Sequence, residues 1–190
     1  MENYQGVRRG QQKGDWIAGV NTPAKKKLLD SGDWDFYRTE HELQNRGEET
    51  YGCTLFGGLD CIEALFMHRL RNNGIPGPLV RWLTDNGYFR NGFINFSDGY
   101  PYQFAEIIPG VGTYLYKANN AIIKGLIPET MYPYEDAFKK KKPITPEMTK
   151  LAEEFKKRFI INWYWEENPS EGLKSSPLQA VVRFANGEGI

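Results

Sequence analysis

The sequence predicts an α+β chain: a mostly helical body built around one buried helix, followed by the opening of a β lobe. Three observations predict it. An apolar pattern at helical spacing starts at Cys53 and runs through Leu55, Leu59, Ile62, Phe66 and Leu70. A second capped amphipathic stretch runs from Pro146 to about Phe159. Near the end, Leu178-Gln-Ala-Val-Val-Arg-Phe184 has the β-branched alternation of a strand. At 190 residues the chain can hold one domain or two small lobes with a sizeable core.

Taken in order, residues 1–50 show little periodicity and many Gly, Asp, Asn and charged residues, and they read as an extended, wrapping arm. Lys25-Lys26-Lys27 within it reads as a solvated face. The helix from Cys53 is apolar around much of its circumference, so it should be central; Asn72-Asn73-Gly74 ends it, because Asn and Gly tolerate the left-handed conformation. Residues 75–112 look loop-rich, with one short helical candidate near Pro78–Asn86. A second helix is expected from Thr113 to Lys124 on the stripe Leu115, Ala118 and Ile122, with Gly125 as its stop. The third has Thr145 as cap, Pro146 at the tolerated first position, and Met148, Leu151, Phe155 and Phe159 on its buried face. The basic run Lys139–Lys142 before it reads as an exposed linker. Residues 51–135 thus form the helical lobe, and 136–190 the third helix and the start of the β lobe.

Several function classes lose support at this stage. Lysine and arginine total 24, aspartate and glutamate 24, so the formal charge is zero and neither a nucleic acid nor a membrane surface is an expected partner. No stretch reaches the ~18 apolar residues of a membrane span, and the polar start MENYQGVRRGQQKGDW lacks the apolar run of a secretory signal. Cys53 and Cys61, eight residues apart on one helix, would be roughly 12 Å apart, too far for a disulfide. A reducing compartment is the expected location. No Cys/His spacing suits a metal, Gly110-Val-Gly112 lacks the strand context of a phosphate loop, and no cofactor is expected. The pairs Glu48-Glu49 and Glu166-Glu167 are adjacent in sequence, so their carboxylates diverge. Trp163-Tyr-Trp165 reads as packing rather than a stacking platform.

The chemistry-bearing position is Cys53. At the start of an apolar helix, free N–H groups and the positive end of the dipole favour a thiolate, and Tyr51-Gly52 would let the chain turn tightly into it. The surrounding order of motifs is Gly32-Asp33-Trp34-Asp35, then Gln44-Asn45 nine and eight residues before Cys53, then Cys53-Thr-Leu-Phe-Gly-Gly-Leu. Phe96-Ser97-Asp98, Gly110-Val-Gly112, Gly125-Leu-Ile-Pro-Glu-Thr-Met-Tyr-Pro-Tyr134 and Ser176-Pro177-Leu178-Gln-Ala-Val-Val follow. In this order they resemble the papain-like cysteine peptidases, and bacteriophage-encoded members most, over the N-terminal part of that domain.

The resemblance implies a two-lobed fold with Cys53 as nucleophile and Gln44 as the side-chain donor to the oxyanion, Asn45 being its rival. Gly110 and Gly112 would form the cleft wall past which a peptide or protein substrate lies. Thr54 stands where the family usually has tryptophan, and the family's catalytic histidine and asparagine lie downstream of the strand at which this sequence stops. His68, fifteen residues along the same helix, is ~22 Å from Cys53; His41 lies upstream, against the family's order. Two functions follow. One is a cysteine peptidase whose histidine and asparagine come from another polypeptide, this chain alone being inactive. The other is an inactive peptidase-like assembly protein of a phage particle, paired with a neighbour through its C-terminal strand.

Overall fold

The computed structural model describes residues 7–8, 26–39, 46–47, 49–164, 166 and 168–178. It combines helices with a few short strands. In chain order the elements are β1 (Val7–Arg8), α1 (Cys53–Arg71), α2 (Gly77–Asp85), β2 (Phe89–Arg90), β3 (Phe93–Ile94), α3 (Gly99–Tyr102), β4 (Thr113–Tyr114), α4 (Leu115–Ile122), α5 (Pro146–Arg158) and α6 (Pro169–Gly172). A 3-10 turn at Asp35–Tyr37 and a π turn at Glu135–Lys139 complete them.

The helix expected from Cys53 is α1, and it is central. Leu55, Leu59, Phe66 and Met67 are buried on it, packed with Leu83, Tyr88, Ile94, Phe96, Ile122 and Phe155 from the elements around it. It ends as its sequence requires: the Asn72 N–H and side-chain amide both donate to the His68 carbonyl, and Asn73 takes φ 53°. Helix α5 begins under its expected cap, the Met148 N–H donating to the Thr145 hydroxyl at 3.3 Å. Its Phe155 is fully buried, with its ring 5.5 Å from those of Tyr88 and Phe96 and 5.9 Å from Phe66. The third helix therefore shares the core of α1. A second apolar cluster joins Phe56, Tyr100, Tyr132, Tyr134, Phe138 and Met148.

Two elements differ from expectation. The second helix starts at Leu115, not Thr113, because Thr113 and Tyr114 form β4, pairing in parallel with Val7 and Arg8 of β1. The Thr113 hydroxyl donates to the Ala105 carbonyl at 2.7 Å, which anchors that extended start. The loop-rich stretch contains a hairpin: β2 and β3 pair antiparallel, Phe89 with Ile94 and Arg90 with Phe93, around Asn91 (φ 52°) and Gly92 (φ 82°). An Asn-Gly pair suits this two-residue turn, since both central residues need positive φ.

Gly125 does end the second helix, at φ 124°, and has a further reason to lack a side chain. A Cβ there would collide with the Ala152 carbonyl of α5, so the glycine lets the two helices close on each other. The Lys139–Lys142 run is exposed, as expected, with Lys139 on Glu135 and both Lys140 and Lys142 on Asp136.

The arm is tied to the far end of the chain. The Leu28 and Leu29 amides donate to the Lys174 carbonyl at 2.7 and 2.9 Å, and the Trp34 indole N–H donates to the Leu173 carbonyl at 2.7 Å. Among the described residues the strands form two separate two-stranded pairs and no barrel; the strand expected at 178–184 lies, past Leu178, outside them. No helix among the described residues is long and apolar enough to cross a membrane.

Candidate functional site

Cys53 is the first residue of α1, with Gly52 as N-cap. The approach is tight, but the left-handed residue is Tyr51 (φ 54°) rather than Gly52 (φ −96°). Local polar contacts hold this corner. The Tyr51 amide donates to Glu49 Oε1 at 2.8 Å, the Gly52 amide to the Thr50 hydroxyl at 3.3 Å, and the Tyr102 hydroxyl to the Thr50 carbonyl at 2.8 Å. The absent side chain of Gly52 matters for packing: a Cβ there would press on the Phe56 ring at 3.1 Å and on the Thr50 hydroxyl at 3.2 Å. A bulky residue at positive φ is a backbone outlier of the kind that collects at functional corners.

The electrostatics of the sulfur run against the expected thiolate. Cys53 is half-buried, and burial pushes its thiol above the usual cysteine range, with Glu49 adding to the rise. The expected helix-start effect is present: the Thr54 hydroxyl, 4.0 Å from the sulfur, and the Thr54 and Cys53 amides all pull the other way. Burial wins. The balance at the sulfur therefore favours thiol over thiolate.

His68 does not approach it. It sits in the last turn of α1, its ring 5.3 Å from Trp34 and 4.8 Å from Tyr37. His41, Gln44 and Asn45 lie outside the described residues. Gly110 (φ 76°) and Gly112 (φ 85°) shape a tight turn, closed by the Gly112 amide on the Ile108 carbonyl at 2.8 Å and the Ile108 amide on the Gly112 carbonyl at 3.1 Å. Directly after Gly112, β4 is paired with Val7–Arg8 of this same chain.

Two of the motif segments, 96–98 and 125–134, come together. Phe96 pairs with Pro128, the Ser97 amide donates to the Ile127 carbonyl at 2.9 Å, and the Ser97 hydroxyl donates to the Tyr132 carbonyl at 2.6 Å. Three buried carboxyl groups, Glu63, Asp98 and Glu129, surround this junction. Glu63 accepts from the Phe96 amide at 2.7 Å and the Thr39 hydroxyl at 2.6 Å, and Glu129 accepts from the Tyr134 amide at 2.8 Å. Glu63 and Glu129 thus hold backbone at the junction.

A groove of 1070 Å³ that no sequence motif marks runs along a second face of α1. Gly58, Cys61, Ile62, Leu65 and Arg69 form its α1 wall. Leu115 and Ile123 stand on the α4 side, and Phe159, Ile161, Leu173 and Ser176–Leu178 line it from the C-terminal segment. Several of these apolar side chains are only half-buried. Cys61 faces it with a thiol that burial pushes up to about 12. The signal was available: α1 carries more apolar circumference than one core needs.

Among the described residues no cluster of three or more His, Cys, Asp or Glu side chains could hold a metal. No family model, curated protein or solved structure matches the chain.

Proposed function

We propose that this chain is the helical lobe of a papain-like cysteine peptidase, inactive by itself and completed by a second polypeptide carrying the histidine and asparagine. The observation that carries the reading is Cys53 at the first position of the buried central helix. On it a thiolate would attack a peptide carbonyl, and imidazole would take the thiol proton and return it to the leaving amine. The oxyanion would be held by the Cys53 N–H and the Gln44 side chain, or that of Asn45, each such donor supplying about 3 kcal/mol. Gly110 and Gly112 would pass the substrate backbone.

The raised thiol fits a lobe awaiting its base, because an adjacent imidazolium is what stabilises the sulfur anion in such pairs. The half-buried apolar groove beside the same helix is where β structure from the completing polypeptide would pack, continuing from Ser176–Leu178.

A second reading draws on that same thiol. A protonated, half-buried cysteine with no histidine beside it among the described residues suits a peptidase-like packing module of a phage particle. One experiment separates the two. The polypeptide encoded downstream of Ile190 is supplied in cis or in trans, and hydrolysis of a fluorogenic peptide is measured with Cys53→Ala as control. The peptidase reading expects activity that needs both the added polypeptide and Cys53. Absence of any gain rejects it in favour of the packing module.

A further inference from the structure

We propose that His68 is an acid-sensitive latch: protonation of its ring releases Trp34 and the segment around Leu173 that walls the groove along α1. The inference does not depend on the peptidase reading.

The geometry is a chain of three contacts. His68 is buried in the last turn of α1, with its Nδ1 enclosed and without a hydrogen-bond partner. Its ring packs at 58° to the Trp34 indole and edge-on, at 67°, to the Tyr37 ring. Trp34, only 6% exposed, fastens through its indole N–H to the Leu173 carbonyl. Next to that bond, the Leu28 and Leu29 amides share the Lys174 carbonyl. One buried imidazole therefore backs the indole that joins the arm to the C-terminal segment.

A neutral imidazole suits this place and a charged one does not. Protonation by solvent converts the ring to an imidazolium with two N–H donors, and the one at Nδ1 has no acceptor. The groups facing the ring are all aromatic or cationic. From the 3-10 turn they are Trp34 and Tyr37; from α1 they are Arg69 and, across the Tyr37 ring at 5.8 Å, Arg71. The carboxylates of this corner are engaged elsewhere, Asp35 with Arg38 and Glu171 with Lys174. Among the described residues none acts on His68. The indole face offers an imidazolium some cation–π attraction, but burial and Arg69 outweigh it and hold the ring below the usual histidine range. Above pH 6.5 the ring is neutral whether folded or unfolded. As pH falls below 6.5 the unfolded ring takes its proton first, so the latch weakens from there down through the folded value.

Hydrogen exchange followed by NMR tests this on the full chain. Protection factors, corrected for intrinsic exchange, are read from pH 7.5 to 4.5 for the Trp34 indole and the Leu28 and Leu29 amides. They should fall at least tenfold, with the Phe155 amide in α5 as the unchanged reference. The fall should be absent in His68→Phe. In Arg69→Gln, an exposed change that leaves the packing intact, it should shrink and level off at higher pH. Protection indifferent to pH, an equal fall in His68→Phe, an undiminished fall in Arg69→Gln, or a His68 ring titrating at or above 6.5 would each overturn the latch.

Discussion

Glu63 shows how one buried acid holds three parts of the fold. It projects from α1, is 5% exposed, and accepts from the Phe96 amide after β3 and from the Thr39 hydroxyl of the arm. Glu63→Met would bury the Phe96 N–H without an acceptor and should cost about 1–3 kcal/mol in urea unfolding. Glu63→Gln should recover most of that loss, since its amide oxygen still faces Phe96 and its NH₂ can donate to a rotated Thr39 hydroxyl. Equal losses in the two variants would mean that the carboxylate's charge, not its hydrogen bonds, holds the junction. At this scale the sequence was informative about place and poor about state. Cys53 does open the central helix, yet the sign of its shift is decided by how deeply the sulfur is covered, and local sequence does not encode depth. His68 is a similar case. Spacing separated it from Cys53, but its enclosure by Trp34 and Tyr37 depends on a contact between distant segments.

Among the elements, α1 and α5 were legible because each carries period, cap and stop together. Thr145 and Pro146 at one end and Asn72-Asn73 at the other are local chemistry that tertiary context did not overrule. The start of the second helix was misplaced because Thr113 and Tyr114 find strand partners more than a hundred residues upstream. The hairpin at Asn91-Gly92 was present in the sequence as a turn signal, but its strands are only two residues long, too short to show alternation. The shared core of α1 and α5 leads to a prediction. Phe155→Ala removes a ring that touches Phe66, Tyr88, Phe96 and Phe159, and should cost about 3–5 kcal/mol. Chemical denaturation checks it. A loss under 1 kcal/mol would mean that α5 is peripheral.

For the whole molecule, the distinguishing feature is an apolar groove walled by the most central helix. A groove of 1070 Å³ is large for a small-molecule site, whose usual upper size is ~1,000 Å³. Several of its side chains, Leu65 among them, are only half-buried, so charge should be tolerated at such positions. Leu65→Glu is expected to change unfolding free energy by less than about 0.5 kcal/mol while removing the enhanced fluorescence of an anilinonaphthalene dye bound to the native chain. Under the peptidase reading it should also abolish activity regained with the completing polypeptide. A large destabilisation would place Leu65 in the core instead. The sequence shows the apolar circumference of α1 but not the groove, which α1, α2, α4 and the chain after α5 make together.

The bond between the Trp34 indole and the Leu173 carbonyl spans 139 residues. On a ribosome adding about 5–20 residues per second, Trp34 is made roughly 7–28 s before its acceptor exists. The nascent chain must therefore carry the indole without its anchor until Leu173 has been made. Docking of the indole accordingly waits for that distant segment, and a ribosome stalled before Leu173 should hold a nascent chain whose α1 is formed while the stretch around Trp34 is still open to protease.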